Sequence, residues 1–357
     1  MTTVATFTVD YTRYLDPDSQ LVSSLPAFAE NSENLLSLYR LMTLTRTFDT
    51  KAIALQRTGK MGTYASCLGQ EAVFAGIGFA LEPTDVYVPY YRDYATLLQR
   101  GVKITEFLTF WGGDEGGNNF ANNKEDMPFC VPIASQCLHA AGIAKAIQYR
   151  RQKRAVAVCI GEGGTSEGDF YEAINVAGAW KLPVVFIVNN NQWAISVSRT
   201  LQTGASTIAQ KAIAAGLPGV QVDGNDVIAV ADAVSRALTK ARNGEGATVI
   251  EAITYRLCDH TTADDASRYV PAEELQRAHA EEPLRRLRHY LANQGHWSEP
   301  QEKALIQECQ AQVQTEVDAY LSRTPPPVTN MFDYHYAELP DGLLEQRAEA
   351  EEEVQHG

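Results

Sequence analysis

AVAVCIGEGGTSEGDFYEAINVAGAWKLPVVFIVNNNQW, from Ala155 to Trp193, decides how the rest of the chain is read. AVAVCI (155–160) and PVVFIV (183–188) are short β-branched runs bounded by glycine, proline and asparagine, the pattern of buried strands. Between them the spacing predicts a helix from about Asp169 to Lys181. Phe170, Ala173, Ile174, Ala177 and Trp180 form its apolar face, and Ser166 with Asp169 three residues on fits a capping box at its start. Two parallel strands joined by one helix cross over right-handed, so Glu162 and Asn190 or Asn191 lie just beyond the carboxyl ends of neighbouring strands. That is where open α/β sheets bind ligands.

The turn after the first strand is glycine-rich, yet it carries an acid where a phosphate-cradling loop carries lysine. A P-loop needs Gly-Lys-Ser/Thr at its end, and a GxGxxG fingerprint starting at Gly161 needs glycine at Ser166; neither is present. A carboxylate aimed at a phosphate is repulsive unless a cation stands between them. An acid, an amide oxygen and a backbone carbonyl make a hard oxygen site that suits Mg²⁺, which keeps its other positions for water and substrate phosphates.

Further strands are predicted at GVQVDG (219–224) and TVIEAITYRL (248–257), alternating with helix-length segments, so the centre of the chain reads as a parallel sheet covered on both faces. From about Ser32 to Arg100 the apolar spacing is helical. It is helical again beyond Pro271, in AEELQRAHAEEPLRRLRHYLANQ and in a run from about Glu302 to Ser322. Residues 1–30 read as an N-terminal arm, and the proline run Pro325 to Pro327 separates a Glu- and Gln-rich tail, 326–357, as helix or disorder.

The chain has 357 residues, enough to bury a sizeable core in one large α/β domain or two ordinary ones. Lys+Arg 30 against Asp+Glu 44 gives a net charge of -14, which disfavours nucleic acid and anionic membranes as partners. The 6 cysteines lie far apart with no CxxC pair, so neither a zinc site nor a disulfide framework is expected. The N-terminus lacks a basic region followed by an apolar core, and LPVVFIV is too short to span a bilayer. A cytoplasmic location is the expectation.

Several ordered segments resemble one family: FDTKAIALQRTGKMGTYASCLGQEAV, YYRDY, the GEG turn with GGTSEGDFYEAINVAGAWK, NNNQWAIS, VDGNDV and YRLCDHTTADDASRY. Together they resemble the alpha subunit of the decarboxylating first component of 2-oxo acid dehydrogenase complexes, over nearly the whole chain. The resemblance implies the doubly wound, parallel α/β sheet of the thiamin diphosphate-binding fold with helical N-terminal and C-terminal extensions, its core region spanning 31–325. It implies thiamine diphosphate and Mg²⁺ as cofactors. Glu162, the Asn191 side chain and the Trp193 carbonyl then look like metal ligands, and Gly163 and Gly164 like diphosphate contacts. Tyr91 and Arg92 occupy positions that hold the diphosphate, a task for which the guanidinium fork is suited. Ile133 stands where a bulky apolar residue supports the bent cofactor. His260, in a loop after a central strand, is expected beside the reacting carbon, suited to proton transfer or to orienting the intermediate. His139 reads as structural.

Two departures stand out. The segment Trp111 to Phe129 lacks the second histidine of some relatives, whose hydrogen bonds its Asn and Asp residues or a partner chain are expected to take over. The acid of the turn is Glu rather than the commoner Asp. The implied activity is oxidative decarboxylation of a 2-oxo acid, pyruvate favoured, with acyl transfer to a lipoyl group on an acyltransferase component. The alternatives are a branched-chain 2-oxo acid (3-methyl-2-oxobutanoate) enzyme, an acetoin dehydrogenase or a silent cofactor-binding protein. The carboxylate that activates the aminopyrimidine has no candidate here, so a beta subunit is expected to complete a heterotetramer of two alpha and two beta chains. Thr261 and Thr262 sit where some relatives are phosphorylated, but no such regulation is expected.

Overall fold

The computed structural model describes residues 1–356, with side chains described through Glu353. In chain order the strands are β1 (Tyr11–Thr12), β2 (Val86–Val88), β3 (Val156–Gly161), β4 (Val184–Asn190), β5 (Trp193–Ala194), β6 (Val197–Ser198), β7 (Gly219–Asp223) and β8 (Thr248–Ile253). The helices are α1 (Ser32–Arg57), α2 (Glu71–Ala80), α3 (Tyr94–Gln99), α4 (Ile104–Trp111), α5 (Ser135–Tyr149) and α6 (Gly168–Trp180). Two single turns follow, α7 (Arg199–Gln202) and α8 (Lys211–Ala214), and then α9 (Val227–Arg242), α10 (Ala272–Ala280), α11 (Pro283–Asn293), α12 (Glu299–Leu321), α13 (Asn330–Asp333) and α14 (Asp341–His356).

All strands but β5 and β6 join one parallel 6-stranded sheet in the order β1-β7-β8-β4-β3-β2. Both faces are covered, and the strand residues divide between them by alternation. Val156, Val158, Ile160, Val184, Phe186 and Val188 pack on the side of α5 and α6. Ala157, Cys159, Val185 and Ile187 face the opposite core, which α1, α2, α9, α11 and α12 complete. The apolar runs of β3 and β4 are continuous in sequence because neither face meets water.

Four local expectations are corrected. Helix α6 starts at Gly168 after Glu167, with no side-chain cap, so the Ser166–Asp169 capping box does not form. Residues Gly163–Ser166 instead make a 3-10 turn, which turns the Ser166 hydroxyl to the Gln202 carbonyl at 3.4 Å. Trp180 is 53% exposed, since as the last residue of α6 it meets Lys145 of α5, at 5.2 Å, rather than an apolar neighbour. The segment 32–100 is not wholly helical: Val86–Val88 is a buried sheet strand, too short to break the helical pattern that surrounds it. The strand expected over 248–257 ends at Ile253, although Thr254 N and Arg256 N still donate to Asn190 O (2.9 Å) and Asn191 O (3.2 Å). That irregular extension runs beside the end of β4 and carries the following loop to it.

The N-terminal segment is docked: Tyr11 and Thr12 pair with Gln221 and Val222, and Arg13 Nε reaches Asp223 at 2.6 Å. The tail, left open between helix and disorder, forms α13 and α14. No helix among the described residues is long and apolar enough to cross a membrane.

Candidate active site

The carboxyl ends of β3 and β4 open into a pocket of about 370 Å³. The residues expected to hold the cofactor and metal line it: Glu162, Gly163 and Gly164 after β3, Asn191 and Trp193 after β4, Tyr91 and Arg92 after β2, Ile133 before α5, and His260 after β8; Asn190, the alternative to Asn191, does not. None of the residues 111–129 does. The expectation that Asn or Asp from that segment substitutes for a second histidine fails, because these side chains bind their own surroundings: Asn118 Oδ1 accepts from Phe129 N at 3.1 Å and Asp126 pairs with Arg100.

Glu162 is 2% exposed, and burial pushes its carboxyl above the usual range. Its Oε2 accepts the Asn191 backbone N–H at 3.2 Å, joining the two strand ends, while its Oε1 is buried without a donor. Asn191 is held at both ends of its amide. Nδ2 donates to Gln70 Oε1 at 3.0 Å, and Oδ1 accepts from Trp193 N at 3.2 Å. The same Gln70 oxygen takes Asn189 Nδ2 at 2.7 Å, and that nitrogen also reaches Tyr90 Oη at 2.9 Å. Gln70, wholly buried at the start of α2, therefore fixes which way the Asn191 amide points. The turn itself is packed tightly: a Cβ on Gly163 would come within 2.6 Å of Ala194 Cβ. Ile133, 51% exposed, faces Gly164 from the opposite side, its Cγ2 3.2 Å from where a Cβ there would stand.

The other wall is cationic. Arg92 is 1% exposed; its guanidinium donates to the carbonyls of Ser66 and His260, the latter at 2.6 Å, and lies 5.2 Å from the Tyr91 ring centre. Arg256, equally buried, donates to Ile195 O at 2.8 Å, Trp193 O at 3.3 Å and Tyr269 Oη at 2.6 Å. Among the described residues neither arginine is paired with a carboxylate. A buried charge without a partner is costly in the low dielectric of an interior.

His260 Nδ1 faces Arg92 Nη2 at 3.1 Å and Arg256 Nη1 at 3.4 Å. Guanidinium groups only donate, so Nδ1 is assigned as the acceptor and Nε2 as the protonated nitrogen. Burial first, then the two arginines, lowers the histidine from its ordinary 6.5 to about 3. The ring is neutral, an Nε2–H donor over a wide pH range. Its loop is tied by side chains: Asp264 Oδ2 accepts His260 N at 2.7 Å and takes the Tyr269 hydroxyl.

The pocket thus carries a buried acid without a side-chain donor on one wall and the Arg92 guanidinium on the other, with Arg256 behind the lining at the Trp193 carbonyl. That polarity fits a cation and an anion bound together, as in a metal–diphosphate, better than either alone. No cluster of three His, Cys, Asp or Glu occurs among the described residues. Sequence reasoning missed Gln70 and Arg256. Both lie within quoted segments, GQEAV and YRLCDH, but their partners, Asn189 and Asn191 for Gln70 and the Trp193 carbonyl for Arg256, are distant in sequence.

A family profile described as "Dehydrogenase E1 component" matches residues 39–328. The chain is 37% identical over 338 residues to the pyruvate dehydrogenase E1 component subunit alpha of Mycoplasma pneumoniae, covering 95% of this chain and 92% of that protein. It is 41% identical over 323 residues to the 3-methyl-2-oxobutanoate dehydrogenase subunit alpha of Mycobacterium tuberculosis, covering 90% and 88%. It is 40% identical over 316 residues to the pyruvate dehydrogenase E1 component subunit alpha of Staphylococcus aureus, covering 88% and 85%.

Proposed function

The chain belongs to the dehydrogenase E1 component family, and from that premise we propose that it is the alpha subunit of a pyruvate dehydrogenase, decarboxylating pyruvate and passing the acyl group to a lipoyl arm. The observation that carries the reading is the pocket's split charge: the donorless Glu162 Oε1 against the buried Arg92, which has no carboxylate partner.

The donor set fits thiamine diphosphate with Mg²⁺. Glu162, Asn191 Oδ1 and the Trp193 carbonyl would hold the metal, with Gly163, Gly164, Tyr91 and Arg92 on the diphosphate side and Ile133 beneath the rings. The cofactor, when bound, supplies the electron sink for breaking the bond to carbon dioxide. The chain's own contribution is placement and protons. Gln70 sets the Asn191 oxygen, the crowded Gly163 turn admits backbone close to the anion, and His260 offers Nε2–H to an oxygen of the reacting 2-oxo acid without first having to lose a proton.

Among the described residues, the one other acid on the pocket, Glu167, stands exposed at its rim, which supports a beta chain completing the site in a two-alpha, two-beta assembly that serves a lipoyl acyltransferase. Free cysteines throughout support a reducing cytoplasm. Relatives named for pyruvate and for 3-methyl-2-oxobutanoate stand at similar identity, so the substrate is decided by assay. The chain is co-produced with its beta chain and 2-oxo acid-dependent reduction of dichlorophenolindophenol is followed. The highest kcat/KM is expected with pyruvate. A preference for 3-methyl-2-oxobutanoate or acetoin overturns the substrate, and no reduction with any of them overturns the enzyme.

A further inference from the structure

Glu162 Oε1 is not the only donorless oxygen on this wall. Gln202 Oε1 is buried and also lacks a partner, although the residue as a whole is only partly buried. Gln202 closes the short turn α7, lines the same pocket, and its amide lies beside the Glu162 carboxylate. Its amide orientation is fixed from the other end, since Nε2 donates to Val197 O at 3.0 Å. The residue is tied to the acid's turn: its carbonyl accepts the Ser166 hydroxyl at 3.4 Å, and its Oε1 would stand 3.4 Å from a Cβ on Gly163. Both oxygens are buried on one pocket wall with no proton to accept. The arrangement becomes favourable when a positive centre, or a water molecule polarised by one, lies between them.

We propose that Gln202 Oε1 is a further oxygen of the divalent-cation site, facing the ion that Glu162 holds. This rests on the metal reading given above and extends it to a residue outside the GEG and NNN segments. Gln202 here acts as a positioning residue for the ion, and the short hairpin β5–β6 that leads into α7 becomes part of the metal site.

The test uses the co-produced alpha–beta assembly with Mn²⁺ as probe, titrated at fixed thiamine diphosphate and read by the paramagnetic resonance of free Mn²⁺. Gln202→Met, similar in length but without the oxygen, is expected to weaken Mn²⁺ binding about tenfold, the scale of outer-shell changes at metal sites. Thiamine diphosphate affinity at saturating Mn²⁺ and the melting temperature without metal stay near wild type. Gln202→Glu keeps an acceptor and adds charge, so it binds Mn²⁺ at least as tightly as wild type. Gln202→Ala stands in if the methionine variant does not assemble, with the same expectation. Wild-type Mn²⁺ affinity in the Met or Ala variant overturns the inference, as does a Glu variant weaker than Met. If the wild-type assembly itself takes up no Mn²⁺ with the cofactor present, it is the underlying metal reading that fails.

Discussion

Two walls meet at the pocket and are built in opposite ways. The wall from Gly161 to Trp193 is backbone architecture: two adjacent parallel strands end together, and one helix fixes their offset. The wall from Cys258 to Tyr269 has no sheet or long helix. It is held by side chains, the sequence-distant Arg92 on His260 and the adjacent Arg256 on both Tyr269 and the Trp193 carbonyl. A backbone-built wall localises the effect of a substitution at the chemical group that is lost. A side-chain-built wall spreads it, since each tie helps orient the next.

The sharpest contrast is expected from the first wall. Glu162→Ala removes its one buried acid and should reduce metal-dependent cofactor affinity by more than the ~10–100-fold typical of outer-shell changes, while the fold persists. Calorimetry with thiamine diphosphate and Mg²⁺ measures this; unchanged affinity would remove Glu162 from the metal site. His260→Ala, on the second wall, is expected to lower kcat by about 10²–10⁴ while cofactor affinity changes little. A variant with wild-type turnover would reduce His260 to a packing residue.

Gln70→Leu tests whether the first wall depends on amide orientation: metal affinity should fall roughly 10–100-fold, and Gln70→Glu, which retains the acceptor for Asn191, should recover most of it. Equal affinities in the two variants would break that link. Tyr269→Phe is the mildest. It removes a hydroxyl bound to Asp264 and Arg256, costs about 1 kcal/mol locally, and should speed amide exchange across 259–270 but not across 161–193. Faster exchange in both walls would erase the distinction between them.

The histidine also gives the comparison a pH dependence. Its value in the folded chain, about 3, lies below its ordinary 6.5, so the unfolded chain binds the proton more readily. The stability tied to the neutral ring is therefore present above pH 6.5 and is lost as the pH falls from there toward 3. His260→Gln should flatten that acid limb in urea unfolding of the chain. An unchanged limb would place the acid sensitivity elsewhere, with the buried carboxylates as the remaining source.

How legible each wall was follows the same division. The β3–α6–β4 unit could be read because its apolar runs, its turn glycines and its asparagines are contiguous, and strand ends are where ligands are sought. Arg92 and His260 were identified by motif resemblance, but that Nδ1 accepts from two guanidinium groups requires knowing that Arg256, Arg92 and His260 converge. Gln70 was invisible for a related reason: a glutamine at a helix start reads as local chemistry, whereas its partners are at positions 189 and 191. The Ser166 cap was misread because a 3-10 turn, set by packing of the glycines against Ala194 and Ile160, displaced the helix start. The β2 strand was missed because Val86–Val88 gains its identity from pairing with Val156–Val158, not from its own length.

The first strand carries a consequence for the making of this protein. Arg13 and its partner Asp223 are 210 positions apart, and at a synthesis rate of about 5–20 residues per second roughly 10–40 s separates their emergence from the ribosome. Through that interval the edge that β1 will occupy does not yet exist. The beginning of the chain is made first and can seat itself only after β7 has formed, so its docking is a late event in folding.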